Sequence, residues 1–170
     1  MVEVYVSIGS NIERGTNVRE ALRLLEEQFG PLVSSSIYET ESVGFQGPNF
    51  YNLVVGFETD RSLADIARVL SDIEIQRGRR RSGSGFDDRT LDLDVILYGD
   101  TVDCESTHNV PRPDILEYAF VLCPLAEIAP DRIHPECGKT CAELWASFND
   151  KSQKLWRVEE DDRTAVAIPS

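Results

Sequence analysis

Two periodicities of apolar residues alternate along the chain, one typical of strands and the other of helices. In residues 2–8, Val2, Val4, Val6 and Ile8 occupy every second position, which predicts a half-buried strand. Three further apolar segments of β-rich composition predict strands at residues 32–38, 49–58 and 91–98. The polar segment 39–48 contains two glycines and a proline and is predicted to be a loop.

Two other segments place apolar residues three or four positions apart, as on one face of a helix. The first covers residues 16–29, with Thr16 as the predicted N-cap and Gly30 at the end. The second begins after Ser62, carries Asp65 as a weak capping partner and ends at Gly78. The apolar stripes comprise Val18, Leu22, Leu25 and Phe29 in the first helix and Leu63, Ile66, Leu70 and Ile73 in the second.

The order of these elements, β-α-β-β-α-β, predicts an α+β fold of the ferredoxin-like type. In that fold the helices lie on one side of an antiparallel sheet, and the residues after 100 form a C-terminal extension. Within the extension, residues 120–125 are predicted to be a short extended segment and residues 140–148 a short helix. We expect a single domain over residues 1–158 and an acidic tail, residues 159–170, that frays.

The formal net charge of −13 on 170 residues disfavours general binding to nucleic acid or to anionic membranes. The N-terminus lacks the basic start and apolar run of a signal peptide, and no apolar run approaches the roughly 20 residues of a membrane span. We therefore expect a cytoplasmic monomer or weak homo-oligomer without nucleic-acid or membrane partners. The four cysteines do not have zinc-ligand spacing, and free thiols are the simpler interpretation.

Asp92 and Asp94 are the most distinctive candidate site. Alternate residues of a strand face the same side, so both carboxylates would point one way, with Cα atoms about 6.6 Å apart, while Leu93 points to the core. Two such carboxylates suit Mg²⁺, which prefers a few carboxylates together with water and phosphate oxygens. The alternative is an ordinary solvated strand face.

Five arginines precede or adjoin this strand in the only dense basic stretch of the chain: Arg77, Arg79, Arg80, Arg81 and Arg89. Guanidinium groups match phosphate oxygens, so arginines beside a metal site would hold a polyphosphate during transfer. The alternative is a solvated run that pairs with nearby carboxylates. The phosphate-loop motif and the protein-kinase motifs are both missing from the sequence.

The run RTLDLDVILYGD, residues 89–100, resembles the signature of the 6-hydroxymethyl-7,8-dihydropterin pyrophosphokinase family. Further matches follow in the same order over residues 2–148: SIGSN at 7–11, YET at 38–40, PNFYN at 48–52, IE at 73–74, GRRR at 78–81 and FVLCPLAEIAP at 120–130. The resemblance implies transfer of pyrophosphate from ATP to the pterin alcohol, with release of AMP, in folate biosynthesis.

The resemblance also implies roles for individual residues. Asp92 and Asp94 would hold two Mg²⁺ ions that bridge the ATP phosphates. Arg79 and Arg89 would grip the triphosphate and assist transfer, with Arg81 flanking them and Glu74 on the nucleotide side. The pterin ring would lie between Phe50 and Phe120. Its edge would meet Thr40 and Asn52, and the backbone at Val43 and Gly44.

Several residues depart from the family pattern. Arg112 stands where the family usually has histidine; it can still reach a phosphate but cannot donate a proton near neutral pH. Tyr118 stands where arginine is common, and two short stretches, residues 41–42 and 86–88, also differ. These changes leave open a diverged paralogue, either a phosphotransferase for another heteroaromatic alcohol or a ligand-binding domain without catalysis.

Overall fold

The computed structural model describes residues 1–41, 48–78, 91–104, 107–159 and 162–166. Seven strands lie within these ranges: β1 (Val2–Ser10), β2 (Val33–Ser34), β3 (Ile37–Thr40), β4 (Phe50–Thr59), β5 (Asp92–Tyr98), β6 (Leu155–Glu159) and β7 (Asp162–Val166). The helices there are α1 (Arg14–Phe29), α2 (Leu63–Gln76), α3 (Asp114–Glu117), α4 (Ala119–Ile128) and α5 (Cys141–Ser147).

The strands form one antiparallel sheet in the order β5-β1-β4-β3-β6-β7, with β2 also paired to β4. β1 and β4 pair along their whole length, from Val2 opposite Thr59 to Ser10 opposite Tyr51. β5 lies on the other side of β1 and forms one edge of the described sheet. This arrangement brings the first residues of β5 beside the last residues of β1.

The two helices of the predicted core, α1 and α2, pack on one face of the sheet, and α4, from the segment after residue 100, covers the other face. Leu53 and Val55 of β4 pack against α1 and α2, whereas Val54 between them packs against α4. Because side chains alternate across a strand, these neighbours enter two separate hydrophobic cores. The second core forms because α4, which the sequence pattern did not identify as a helix, also has an apolar surface to bury.

The apolar segment 120–125 is helical rather than extended. It forms the middle of α4, where almost every side chain from Ala119 to Ala126 is buried. Because this segment is buried on nearly all sides, its sequence has no amphipathic period from which a helix could be predicted. Pro124 inside it also disfavours the prediction of a helix. α4 is strongly apolar but has only 10 residues, and no helix in the described ranges has the length and apolar composition needed to cross a bilayer.

Two elements differ from the predictions in their boundaries. α1 begins at Arg14, and its N-cap residue Glu13 lies three positions before the predicted cap at Thr16. The predicted strand 32–38 is divided into β2 and β3 at Ser35, whose Oγ accepts a hydrogen bond from the backbone N–H of Val54. This hydroxyl takes a bonding position on β4 that a regular strand would fill with a backbone carbonyl.

Residues 162–166, which belong to the predicted acidic tail, pair with the strand that precedes them. These residues form β7, which pairs with β6 from Leu155 opposite Val166 to Glu159 opposite Asp162. Acidic side chains do not prevent a hairpin, because the strand pairing uses backbone groups. The predicted helix at 140–148 is present as α5, with a capping box between Thr140 and Glu143.

His134 makes the stability of the fold depend on pH. The side chain is 2% exposed, and its Nδ1 accepts hydrogen bonds from the backbone N–H groups of Glu136 and Cys137, each at 3.2 Å. Burial lowers the pKa of His134 from 6.5, against a smaller opposite effect of Glu136. The unfolded chain therefore binds this proton more readily, so stability is lost as pH falls from about 6.5 through the lower folded pKa.

We expect wild type to lose more free energy of unfolding than His134→Asn when pH is lowered from about 7 to about 5. The asparagine Oδ1 can accept a similar bond but does not titrate. Urea denaturation of both proteins across this range measures the difference, and the loss common to both belongs to other groups. Equal losses in the two proteins would contradict the role of His134.

Candidate functional site

A row of paired residues crosses the sheet where β1 ends and β5 begins. Gly9 lies opposite Asn52 of β4 on one side and opposite Asp92 of β5 on the other. Adjacent strands are about 4.8 Å apart, so the backbones of Asn52 and Asp92 are separated by roughly 10 Å. Paired residues face the same side, and this row lies on the face that carries α4.

Asp92 and Asp94 are half-buried on that face, and Leu93 between them is 5% exposed and belongs to the opposite core. Asp94 lies opposite Ser7, which is two residues before Gly9 on β1 and therefore on the same face. The predicted alternation is therefore present. Oxygen donors from two aspartates that share a face fit Mg²⁺, because the remaining coordination positions stay available to water and phosphate. Among the residues that the structure describes, no cluster of three or more histidine, cysteine or acidic residues suits a metal ion.

Glu74 contacts the backbone of the residue between these two aspartates. Its side chain on α2 is 6% exposed, and Oε2 accepts a hydrogen bond of 2.8 Å from the backbone N–H of Leu93. β5 is an edge strand of the described sheet, and this N–H is bonded by a side chain. The contact links the position of α2 to the residue that separates the two aspartates.

A cavity of about 180 Å³ opens between α2 and the edge of β5. Arg112 lines it, with Nη2 3.9 Å from Oδ2 of Asp94 and 4.0 Å from Oδ2 of Asp114. Within the described part of the chain, Nε of Arg112 is buried and makes no hydrogen bond. The Arg112 guanidinium therefore brings a positive charge to the cavity beside Asp94, where it could meet an anion.

Asn52 and Thr40 form a polar pair at the other end of the row. Asn52 Nδ2 donates a 2.7 Å hydrogen bond to Thr40 Oγ1, and both side chains are buried. Phe50 is paired opposite Thr40 and is half-buried. A Cβ added at Gly9 would lie 3.1 Å from Asn52 Oδ1 and 3.9 Å from the Phe50 ring, so glycine leaves room beside both groups.

A second cavity, of about 290 Å³, lies beside Thr40 and the start of α4. Phe120, in the first turn of α4, lines it together with Tyr118; the two rings stack with centroids 5.0 Å apart. The C-terminal segment forms the opposite wall through Ser152, Gln153, Lys154 and Leu155. Sequence reasoning missed this wall, since nothing in residues 152–155 indicates that β6 pairs with β3.

The described site residues fall into two groups on the α4 face and at the adjacent sheet edge. Asp92, Asp94, Glu74 and Arg112 form the acidic and cationic group; Thr40, Phe50, Asn52 and Phe120 form the group with aromatic and amide functions. Arg79, Arg80, Arg81, Arg89, Val43 and Gly44 lie outside the described residues. Gly9, which joins the two groups, was not among the predicted site residues.

Comparison with known proteins gives consistent results. The model of the 7,8-dihydro-6-hydroxymethylpterin-pyrophosphokinase (HPPK) family matches residues 5–130. The 2-amino-4-hydroxy-6-hydroxymethyldihydropteridine pyrophosphokinase of Porphyromonas gingivalis is 34% identical over 80% of this chain and 96% of that protein. The enzyme of the same name from Bacillus subtilis is 37% identical over 73% of this chain and 76% of its own length.

Solved structures agree at the level of the fold. A Plasmodium falciparum HPPK-DHPS crystal structure matches 97% of this chain with a TM-score of 0.72 and 14% identity. This chain covers 50% of that one. On the family match and the identities to curated relatives, the chain belongs to the 7,8-dihydro-6-hydroxymethylpterin-pyrophosphokinase family.

Proposed function

We propose that this site performs the reaction for which the family is named. Pyrophosphate passes from ATP to 6-hydroxymethyl-7,8-dihydropterin, AMP is released, and the product serves folate synthesis. The observation that carries the proposal is the row Asn52–Gly9–Asp92, in which the backbones that carry an amide suited to a heteroaromatic edge and a carboxylate suited to a metal–phosphate complex lie roughly 10 Å apart. That separation leaves room for a ring and its hydroxymethyl arm between the two groups.

The fold that supports this site is assigned to the ferredoxin-like class. The spatial order β5-β1-β4-β3 and the chain order β-α-β-β-α-β support the assignment, with β2 and β3 together taking the place of one strand. The elements from α3 to β7 then constitute a C-terminal extension, which contributes α4 to one face and two strands to the sheet edge.

Asp92 and Asp94 would hold two Mg²⁺ ions on the α4 face. When bound there, the ions would supply charge neutralisation at the ATP phosphates. Arg112 lines the cavity beside Asp94, and its guanidinium would meet a phosphate oxygen there. Glu74 fixes the strand that carries both aspartates, and Arg79, Arg81 and Arg89 are assigned to the triphosphate by resemblance to the family.

The pterin would lie between the rings of Phe50 and Phe120, with its polar edge toward Asn52 and Thr40. Each aromatic face adds about 0.5–1.5 kcal/mol to the binding of a flat ring beyond area burial. The Asn52–Thr40 hydrogen bond orients the asparagine amide before the ligand arrives, which reduces the entropy lost on binding. Val43 and Gly44 are assigned to the same edge by resemblance.

In the transfer step, the hydroxymethyl oxygen of the pterin attacks the β-phosphorus of ATP, and the bond to the α-phosphate oxygen breaks to release AMP. The chain contributes by holding the two reactants in line and by excluding water, the competing acceptor. Arg112 contributes the charge and N–H donors of its guanidinium to the phosphate oxygens.

Incubation with Mg-ATP and 6-hydroxymethyl-7,8-dihydropterin is expected to yield AMP and the pterin diphosphate in equal amounts. Chromatographic separation of AMP from ADP measures the reaction, and omission of the pterin provides the control. ADP as the product would indicate transfer of a single phosphoryl group. Pterin binding without any nucleotide product would indicate a domain without catalysis, and turnover of another heteroaromatic alcohol alone would indicate a diverged paralogue.

A further inference from the structure

Tyr118 is the single residue between α3 and α4, and its backbone is extended, with φ −121° and ψ 124°. In an extended residue, the preceding carbonyl and the following N–H point to the same side, as they do where a strand pairs with its neighbour. The preceding carbonyl here belongs to Glu117 and the following N–H to Ala119, the first residue of α4. The side chain of Tyr118, the N-cap residue of α4, makes no capping hydrogen bond to the helix.

The amide of Gln153 occupies both of these positions. Its Nε2 donates to the Glu117 carbonyl at 2.8 Å, and its Oε1 accepts from the Ala119 N–H at 2.8 Å. A primary amide carries a donor and an acceptor side by side, so it substitutes for the peptide group of a neighbouring strand. Nε2 also donates to Asp150 Oδ2 at 3.0 Å, which orients the amide.

This contact sets the start of the helix that carries Phe120. Ala119 is 2% exposed, and the ring of Phe120, one residue later, stacks on Tyr118. Tyr118, Ala119, Phe120 and Gln153 all line the 290 Å³ cavity beside Thr40. Gln153 thus connects the C-terminal segment to the wall where the aromatic side chain meets the cavity. It lies beyond residues 5–130, the part of the chain that the family model matches.

We propose that Gln153 is a positioning residue for pterin binding: its amide fixes the junction of α3 and α4 and so orients Phe120 toward the ring. The inference rests on the proposed function. Neither glutamate nor methionine can replace the amide, because glutamate lacks the donor for Glu117 and methionine lacks both groups.

The test compares wild type, Gln153→Met, Gln153→Glu and Lys151→Ala. Lys151→Ala changes an exposed side chain of the same turn that does not line the cavity, and it leaves the Gln153 amide in place. Pterin binding is measured by its fluorescence with Mg²⁺ and a non-hydrolysable ATP analogue, and KM for ATP is measured by AMP release. Thermal unfolding of every variant is recorded in parallel.

We expect the Kd for the pterin to rise about 10-fold in Gln153→Met and Gln153→Glu, since a small displacement of a positioned ring weakens its contacts. KM for ATP, and pterin binding by Lys151→Ala, should stay within about twofold of wild type. An unchanged pterin Kd in both Gln153 variants, or equal rises in pterin Kd and in KM for ATP, would overturn the inference. If wild type binds the pterin but releases no AMP, the proposed function fails, and the pterin Kd values still decide the role of Gln153.

Discussion

Asp94→Asn is expected to lower the rate of AMP formation by about 10²–10³-fold, the loss typical when one preorganised electrostatic group is removed from a reacting phosphate or oxyanion. Asparagine keeps the shape and one oxygen of the side chain but not its charge. It therefore weakens the hold on Mg²⁺ without altering the strand around the buried Leu93. AMP release under saturating ATP and pterin, over a range of Mg²⁺ concentrations, measures the effect.

Asp114→Asn is the matched control. The side chains of Asp94 and Asp114 are 35% and 34% exposed, and they lie 3.9 Å and 4.0 Å from the same Arg112 nitrogen. A half-buried ion pair with a separation of 4.0 Å is too long for a strong contact, so we expect this control to keep its rate within about threefold of wild type. Equal losses in the two variants would mean that Asp94 acts only as a partner of Arg112. An unaltered rate in Asp94→Asn would remove the metal site from the proposal.

The sequence predicted those parts of the structure in which a side-chain period is visible. The alternation in residues 2–8 corresponds to β1. The helical stripe that corresponds to α2 comprises Leu63, Ile66, Leu70 and Ile73. Both patterns are visible because each element has one buried face and one more exposed face. The same logic predicted that Asp92 and Asp94 share a face with Leu93 turned away. Which distant strands pair, and in which register, leaves no such periodic pattern in the sequence.

What the sequence could not indicate depends on contacts between distant segments. α4 is buried on nearly every side, so its residues show no stripe, and its place on the second face followed only from the structure. The role of Gly9 depends on register: its neighbours Asn52 and Asp92 are 43 and 83 positions away. The Gln153 contact likewise requires residues 36 positions apart to meet.

Glu74→Ala is expected to reduce both stability and activity. It removes the carboxylate oxygen that accepts from the Leu93 N–H in a buried position. An unsatisfied buried donor costs about 1–3 kcal/mol of unfolding free energy. Because Leu93 lies between the two aspartates, we expect AMP formation to fall about 10–100-fold, as when an outer partner of a metal ligand is lost. Urea denaturation and AMP release measure the two effects.

Glu74→Gln separates the two roles that this residue could have. Glutamine keeps an acceptor oxygen for Leu93 but loses the charge, so support of the strand predicts recovery of most of the stability and rate. Asp72→Asn, an exposed change on the same helix, should leave stability within about 0.5 kcal/mol. If glutamine is as damaging to the rate as alanine while stability recovers, the charge of Glu74 acts on the nucleotide side, as the family resemblance implies. If both variants match wild type, the Leu93 contact does not hold the aspartates in place.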